Sequence, residues 1–568
     1  MDLARRLPSI VPVVALSVAA LAGLRCGGDT PVSDFDAGNP LADGAGDVVE
    51  FPDSAVFNGP YSDLPSTPIV GSGLPGDIGQ QFGDPDAGGS GAGPCISEPA
   101  SDAMIPRNWT PLFAEWAAPA PANVFEIRVK VDNQINTLVA YQSTPTFTLD
   151  GKIWGGLAQH SAGHDATISV RSAQLTGSKL VGSPSSPTST TVHLAPVDAP
   201  GSVVYWSASG GTAFRGFTVG DLTSKSVLTP TTAGTTSTGG PTTCISCHTS
   251  SPDGKLVFYT RDTNAGPARA IDVRTVVGAA VPDPQSVSPA ALALLGRDHQ
   301  AAPLLNAVHY TAQDAVALSV FYSPTLTAGR GELAWTNLHA ADATGWGLLT
   351  RTGDPHQVSS PAWRRDGTAV AYVSSAVSGE GVVGDVTAQD GAMDIYTVPY
   401  NNHQGGVATP LPGASDPSLR EFYPVYSPND VLLAFNRTSQ PVNTYSQPST
   451  ELAVIPGNGG TATRLRANDP PSCTGLVSPG LTNSWPRWAP TASVSNDKIY
   501  YWVVFSSKRR ASTGLIPQLY VAAVVTQVQN GQEKLLAEYP AVYVLSQDAT
   551  QNNHTPAWDN FEVSLIPN

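Results

Sequence analysis

Cys244, Cys247 and His248 follow the order Cys-x-x-Cys-His at the head of "CISCHTSSPDGKLVFYTR", residues 244–261. Two thiols three residues apart can add across the two vinyl groups of a haem, and the histidine that follows is placed to ligate the iron. In a chain with 5 cysteines and 10 histidines, chance yields this pentad on the order of once in a thousand sequences. Three other chemistries use the same residues. A Cys244–Cys247 disulfide suits an exported chain. A zinc site needs a second ligand pair, and no second Cys-x-x-Cys is present. A thioredoxin-like redox pair opens a helix after a strand, whereas here a strand follows the motif. The flexible "TPTTAGTTSTGGPTT" before Cys244 would keep both thiols reachable. We therefore expect the motif in a turn at the entrance of a repeat, with both thiols on one side, because in a strand they would face opposite ways. The repeat turn itself is expected to begin at Ser250.

What must position the motif is an internal repeat. "PAWRRDGTAVAYVSS" begins at Pro361, "PVYSPNDVLLAFNRTS" at Pro424, "PRWAPTASVSNDKIYYWVVFSS" at Pro486 and "PAWDNFEVSL" at Pro556, spaced by 63, 62 and 70 residues. Each unit is a Pro-x-aromatic step, a polar turn and an apolar strand, and "SPDGKLVFYTR" aligns through Ser251 and Pro252 so that His248 falls on the Pro position. The gap before Pro361 leaves room for one degenerate unit around "NAVHYTAQDAVALSVFY". About sixty residues per unit from residue 198 to 568 gives about six units, each four-stranded sheet covering the faces of its neighbours. The C-terminal "HTPAW" has too little chain after it to finish a unit, so it should complete the one begun by "GSVVYWSAS" and "TAFRGFTVGDL" and close a ring.

These repeats resemble the WD40-like β-propeller repeats of the TolB family, whose signature is Pro-x-Trp/Phe-Ser-Pro-Asp-Gly feeding a hydrophobic strand. The resemblance covers residues 200–568 and implies a six-bladed propeller at the bacterial envelope, commonly a protein-binding platform. The chain departs from TolB in reading as a β-sandwich, not an α/β domain, in front of the propeller, so TolB's own partners are not carried over. Exported bacterial lipoproteins with a TolB-like propeller and a Cys-x-x-Cys-His in one blade look more similar.

The N-terminal third reads differently. Arg5 and Arg6 precede an apolar run from Ile10 to Leu24, the pattern of an export signal over residues 1–26. Cys26 resembles the lipid-modified cysteine of bacterial lipoproteins, although Arg25 stands where that box wants a small residue; membrane association is expected only through such an anchor. Residues 27–94, rich in Gly, Asp and Pro, read as a disordered tether. Over 95–197, short strand-like runs such as "FAEWAAP" and "VFEIRVKV" indicate an immunoglobulin- or fibronectin-like sandwich. The fold class is thus all-β, a sandwich followed by a propeller. Arithmetic on the remaining cysteines pairs Cys95 with Cys473.

Charged residues make up 13% of the chain, with a net charge of −16, which excludes a nucleic-acid partner bound through clustered Lys and Arg. No Gly-x-Ser-x-Gly, Walker or Rossmann fingerprint is present, so an enzyme is not favoured. Carboxylates in "GEGVVGDVTAQDGAMD" could bind calcium, but their spacing fits no EF-hand loop. Asp253, Asp366 and Asp430 occupy repeat turns and read as structural, and Trp363, Trp488 and Trp558 as blade packing. For a haem, Met1, Met104 and Met393 are the only methionines and none is well placed for the distal side, so His554 is the first candidate, His309 the second and a five-coordinate iron the third. The expected function is electron transfer or redox sensing through haem c with an envelope redox partner. The alternative is a non-enzymatic protein-binding scaffold with a Cys244–Cys247 disulfide.

Overall fold

A computed structural model describes residues 48–50, 58–85, 89, 91–209, 211–235, 240–263, 270–297, 303–311, 315–323, 325–376, 393–440, 444 and 446–567. The expected export signal, Cys26 and nearly all of the acidic segment 379–394 lie outside them. Among the described residues no helix is long and apolar enough to cross a membrane.

The first part of the chain builds two sheets. Strands Leu138–Gln142, Val124–Val131, Asp165–Thr176 and Thr188–Leu194 run antiparallel through the middle of one, with Ile69–Val70 and Ala103–Ile105 added in parallel at its edges. The second has three strands, Cys95–Glu98, Phe113–Ala117 and Thr146–Thr148. Ile127, Val129 and Val131 alternate inward along one strand, the period-2 pattern that makes one face of a sheet apolar. Helix Gly151–His160 intervenes where only strands were expected. Asp150 caps it by accepting from the Lys152 amide at 2.9 Å, and Trp154 and Leu157 turn its apolar face into the core. The expected tether over 27–94 needs correction: residues 58–85 are packed, with Leu64, Ile78 and Phe82 buried and Ile69–Val70 paired to Ala140 and Tyr141. So few apolar residues hold this segment that no periodicity announces it.

From residue 202 onward antiparallel units follow one another in chain order, a propeller-type arrangement. Strands Thr242–Ser250, Leu256–Thr263 and Ala270–Thr275 form one unit. Strands Leu304–Leu305, Val316–Tyr322, Gly331–Asn337 and Trp346–Leu348 form the next. Further units start at Gln357–Trp363, Arg420–Tyr426 and Ser484–Trp488. The C-terminal strand Asn553–Asp559 pairs with Ser202–Ser207, setting Val203 opposite Trp558, so the two ends of this region share one sheet with Ala213–Thr218 and Lys225–Leu228.

Five of the leading strands break their ladder at the same repeat position. Cys247, Ser360, Tyr423, Trp485 and Thr555 carry φ of 32°, 39°, 54°, 57° and 45°, and each stands at a register shift. Pro361, Pro424, Pro486 and Pro556 follow four of them, and His248 follows the fifth. A proline has no N–H to give the ladder, and a one-residue bulge lets the strand pass it. A non-glycine residue at positive φ costs roughly 1–2 kcal/mol, so its recurrence shows that the repeat imposes it. The unit around residue 309 departs from this pattern: Ala307–Thr311 is a short helix, and the strand position expected for His309 does not exist.

The two parts share a core. Trp109, Leu112, Val203, Tyr205, Trp502 and Trp558 belong to one buried cluster with Ile127 and Val129, and the Trp109 and Trp558 rings lie 6.4 Å apart. Cys95 and Cys473 are joined by a disulfide with a Cα–Cα distance of 5.5 Å.

Candidate functional site

The Cys-x-x-Cys-His motif lies within strand Thr242–Ser250 and not in a turn ahead of it, a correction to the sequence expectation. Cys244 pairs with Asp262, Ser246 with Thr260 and His248 with Tyr259, and Cys247 is the extra residue of the bulge. The motif is covered: Cys244 is 7% exposed, Cys247 1% and His248 0%. Cys244 is disulfide-bonded and Cys247 is not, so the Cys244–Cys247 disulfide is not formed. The His248 Nε2 lies 3.1 Å from the carbonyl oxygen of Val204, with its ring 4.3 Å from Phe214. Burial pushes its pKa down to about 3, so the imidazole is neutral and Nε2–H donates to that carbonyl, a tautomer assigned from its partner.

The other histidines are placed differently from expectation. His554 is 3% exposed and is not at a rim. Its ring packs between Trp206 at 4.7 Å and Trp485 at 5.2 Å, and burial lowers its pKa to about 3. His554 pairs with Trp206, two residues from the Val204 that His248 contacts, so these two histidines border the same strand. His309 belongs elsewhere: it lies 2.9 Å from the Gly367 carbonyl oxygen and stacks on Trp363 at 5.1 Å. His160 and His164 carry a His-x-x-x-His spacing that the zinc argument overlooked. His160 is engaged by Asp63 at 3.0 Å and stacked on Tyr61 at 4.5 Å. Among the described residues no group of three or more His, Cys, Asp or Glu could hold a metal ion.

A covalent haem needs both thiols and the imidazole open on one side, with room for a macrocycle. Here both cysteines are inside a β-ladder, Cys244 is held in a disulfide, and the Nε2 that would meet iron is aimed at a carbonyl. The residues as folded do not fit a haem.

The turn aspartates are structural. Asp366 Oδ1 accepts from the Thr368 amide at 2.9 Å, and Asp430 accepts from the amides of Arg365 and Asp366 at 2.7 and 3.0 Å.

Sequence reasoning missed a cleft between the two parts. It has a volume of about 690 Å³ and is lined by Glu98, Glu115, Trp116 and Phe125 on one side and Arg509 and Arg510 on the other, with Cys95 and Cys473 at its edge. Arg510 Nε donates to Glu115 Oε2 at 2.8 Å. Glu98 accepts from the Tyr543 amide at 3.2 Å, and burial pushes its pKa up to about 8. The available signal was "KRR" at 508–510, a cationic cluster in a chain poor in charge.

No family model and no curated protein matches this chain. Solved structures overlap it in part. TolB from Acinetobacter baumannii shares 13% identity, covering 69% of this chain and 79% of that one, with a TM-score of 0.37. The β-propeller domain of the Trilobed protease from Pyrococcus furiosus shares 11%, covering 66% and 93%, at 0.28. Hydrazine synthase from Kuenenia stuttgartiensis shares 10%, covering 61% and 88%, at 0.32. These weak overlaps leave the fold resting on the chain's own strand pairings.

Proposed function

We propose that this chain is an exported, non-enzymatic binding scaffold of the cell envelope: a six-bladed propeller closed by its C-terminal strand, with an immunoglobulin-like sandwich fixed to the closing blades. The observation that carries this reading is the junction, where one apolar core and the Cys95–Cys473 bridge unite the two parts. Such a bridge persists in an oxidising compartment, which supports export. A rigid ring with a fixed second domain presents a constant surface to a protein partner at little ordering cost. In this reading Cys-x-x-Cys-His is a blade element, its second cysteine taking the bulge and its histidine the Pro position.

The test pairs two measurements on protein expressed in an exporting host with cytochrome c maturation functions. The intact mass should equal that of the processed polypeptide with no Soret band. Cross-linking in the native envelope should capture a stoichiometric protein partner that the Cys247→Ala variant also captures. A Soret band that survives denaturation would overturn the reading, because haem attachment would then have to precede the entry of strand Thr242–Ser250 into its sheet.

A further inference from the structure

The junction also carries a histidine clamped between two acids. His193 lies in strand Thr188–Leu194, where it pairs with Asp165 on one side and Met104 on the other. Its Nδ1 is 2.6 Å from Asp165 Oδ1 and its Nε2 is 2.7 Å from Asp102 Oδ1. A neutral imidazole has one N–H and can serve only one carboxylate, so this geometry requires the imidazolium. Asp102 is held from the propeller as well, since Arg466 Nη1 donates to its Oδ2 at 2.5 Å. A row of alternating charge, Asp165, His193, Asp102 and Arg466, thus runs from the N-terminal part to the propeller. The Tyr539 ring stands edge-on to His193 at 5.5 Å, and Glu538 accepts from the Arg466 amide. Beyond Arg466, Arg464 and Asp469 are paired with each other at 2.6 Å. Burial works to lower the pKa of His193, but the two carboxylates outweigh it and hold the value above the ordinary 6.5.

The two acids are not equivalent. Asp165 heads the long strand Asp165–Thr176, opposite the histidine itself, and among the described residues its carboxylate hydrogen-bonds only the ring. Asp102 sits in the turn before strand Ala103–Ile105 with φ of 70°, in the left-handed region that non-glycine residues seldom adopt, and it has a second cation in Arg466. When the ring loses a proton, the remaining N–H stays at Nδ1, facing the acid with a fixed backbone and no other partner. The Nε2 lone pair then opposes Asp102 at contact distance, and the strained turn is what yields. Ala100 and Ser101 of that turn, with Arg466, Asp469 and Pro471, line a cavity of about 350 Å³.

We propose that His193 is a pH-sensing latch across the junction: as the imidazolium it holds Asp102 and the turn 100–102 in place beside Arg466, and on deprotonation it releases them. The wall of the cavity is therefore firm in mildly acidic medium and loose in alkaline medium. The side chain is 27% exposed, so its proton exchanges with solvent while the rest of the junction stays packed. This assignment does not depend on the scaffold reading.

Hydrogen exchange of the full chain, read by mass spectrometry at about pH 6 and about pH 8.5 with labelling times scaled to the intrinsic exchange rate, tests it. The reporter is the Asp102 amide, which donates to the Thr191 carbonyl oxygen at 2.7 Å, and strand Val124–Val131 of the same sheet is the control. In the wild type, protection of the 100–104 peptide should fall at least about fivefold at the higher pH while the control is unchanged. His193→Gln, which has a single donor group at any pH, should show the lower protection at both. Asp165→Asn lets a neutral ring accept from the introduced amide and donate to Asp102, so protection should stay high at both. Glu98, whose pKa burial pushes up to about 8, stands close in sequence to the reporter, and a response owed to it would survive in Asp165→Asn. Equal protection of the wild type at the two pH values, or a wild-type pH response in either variant, would overturn the proposal.

Discussion

The Nε2 of His248 and the carbonyl oxygen of Val204 are 3.1 Å apart, and this hydrogen bond ties the motif strand to the strand that opens and closes the ring. Val204 lies where its pairing with Asn553–Asp559 shifts register, beside Pro556, which has no N–H to offer. The neighbouring unit supplies a donor from a side chain. Replacing His248 with Leu keeps most of the volume and orphans a buried carbonyl, so unfolding by urea should show a loss of about 1–3 kcal/mol. Gln, which carries an N–H donor of similar reach, should recover part of it. Wild-type stability in His248→Leu would mean that the contact contributes nothing.

Cys247 invites a second substitution. At φ 32° it sits where Ser360, Tyr423 and Thr555 sit in other units, so the position tolerates several side chains and demands a backbone shape. Cysteine in such a place behaves as a small apolar residue. Cys247→Ala should stay within about 1 kcal/mol of wild type, since large surface is not removed. Cys247→Val should lose about 1–3 kcal/mol more, because a β-branched residue is a strained occupant of positive φ. Equal midpoints for the two variants in urea would remove the bulge from the account.

The repeat was readable because Pro-x-aromatic steps recur in register, and the pairing of "HTPAW" with "GSVVYWSAS" followed from counting strands. What escaped was decided by contacts distant in sequence. The periodicity of 244–250 is masked by a bulge, which shifts the alternation by one residue, so a strand looked like a turn. His309 was aligned on a neighbouring tyrosine, but Ala307–Thr311 has exchanged the strand for a helical turn. The cleft could not be read at all, because Trp116 and Arg509 are nearly four hundred residues apart and meet only when the two parts share a core.

Stability should depend on pH in a way set by buried groups of opposite kind. Glu98 and Glu421 have folded pKa values raised by burial from 4.5 to about 8. Between those limits the folded state holds more protons than the unfolded one, so stability falls as pH rises. His248 and His554 are lowered by burial from 6.5 to about 3. There the unfolded state holds more protons, so stability falls as pH drops below 6.5. The effects oppose each other between 4.5 and 6.5. From 6.5 to 8 the carboxyls act without them, and the melting temperature should decline. Glu98→Gln should flatten that decline, while His554→Gln should flatten the loss below 4.5. An unchanged alkaline slope in Glu98→Gln would show that its carboxyl does not titrate late.

The disulfide and the shared core make separable contributions at the junction. Cys95 and Cys473 close a loop of 378 residues, which restricts the unfolded chain, and removing a native disulfide typically costs about 2–5 kcal/mol. The core does something else: Trp109 against Trp558 and the common cluster make each part a wall of the other. A two-part chain linked only by a covalent bridge would melt in two steps once the bridge is cut. Cys473→Ser should instead lower the midpoint and reduce its sensitivity to dithiothreitol to that of the bridge at Cys244, while melting remains a single transition, because burial across the junction persists. Trp109→Ala, which removes a buried indole from that wall, should cost about 3–5 kcal/mol and should broaden or split the transition even with the disulfide intact. Calorimetry of the two variants distinguishes the roles, and a split transition in Cys473→Ser with a single one in Trp109→Ala would reverse them.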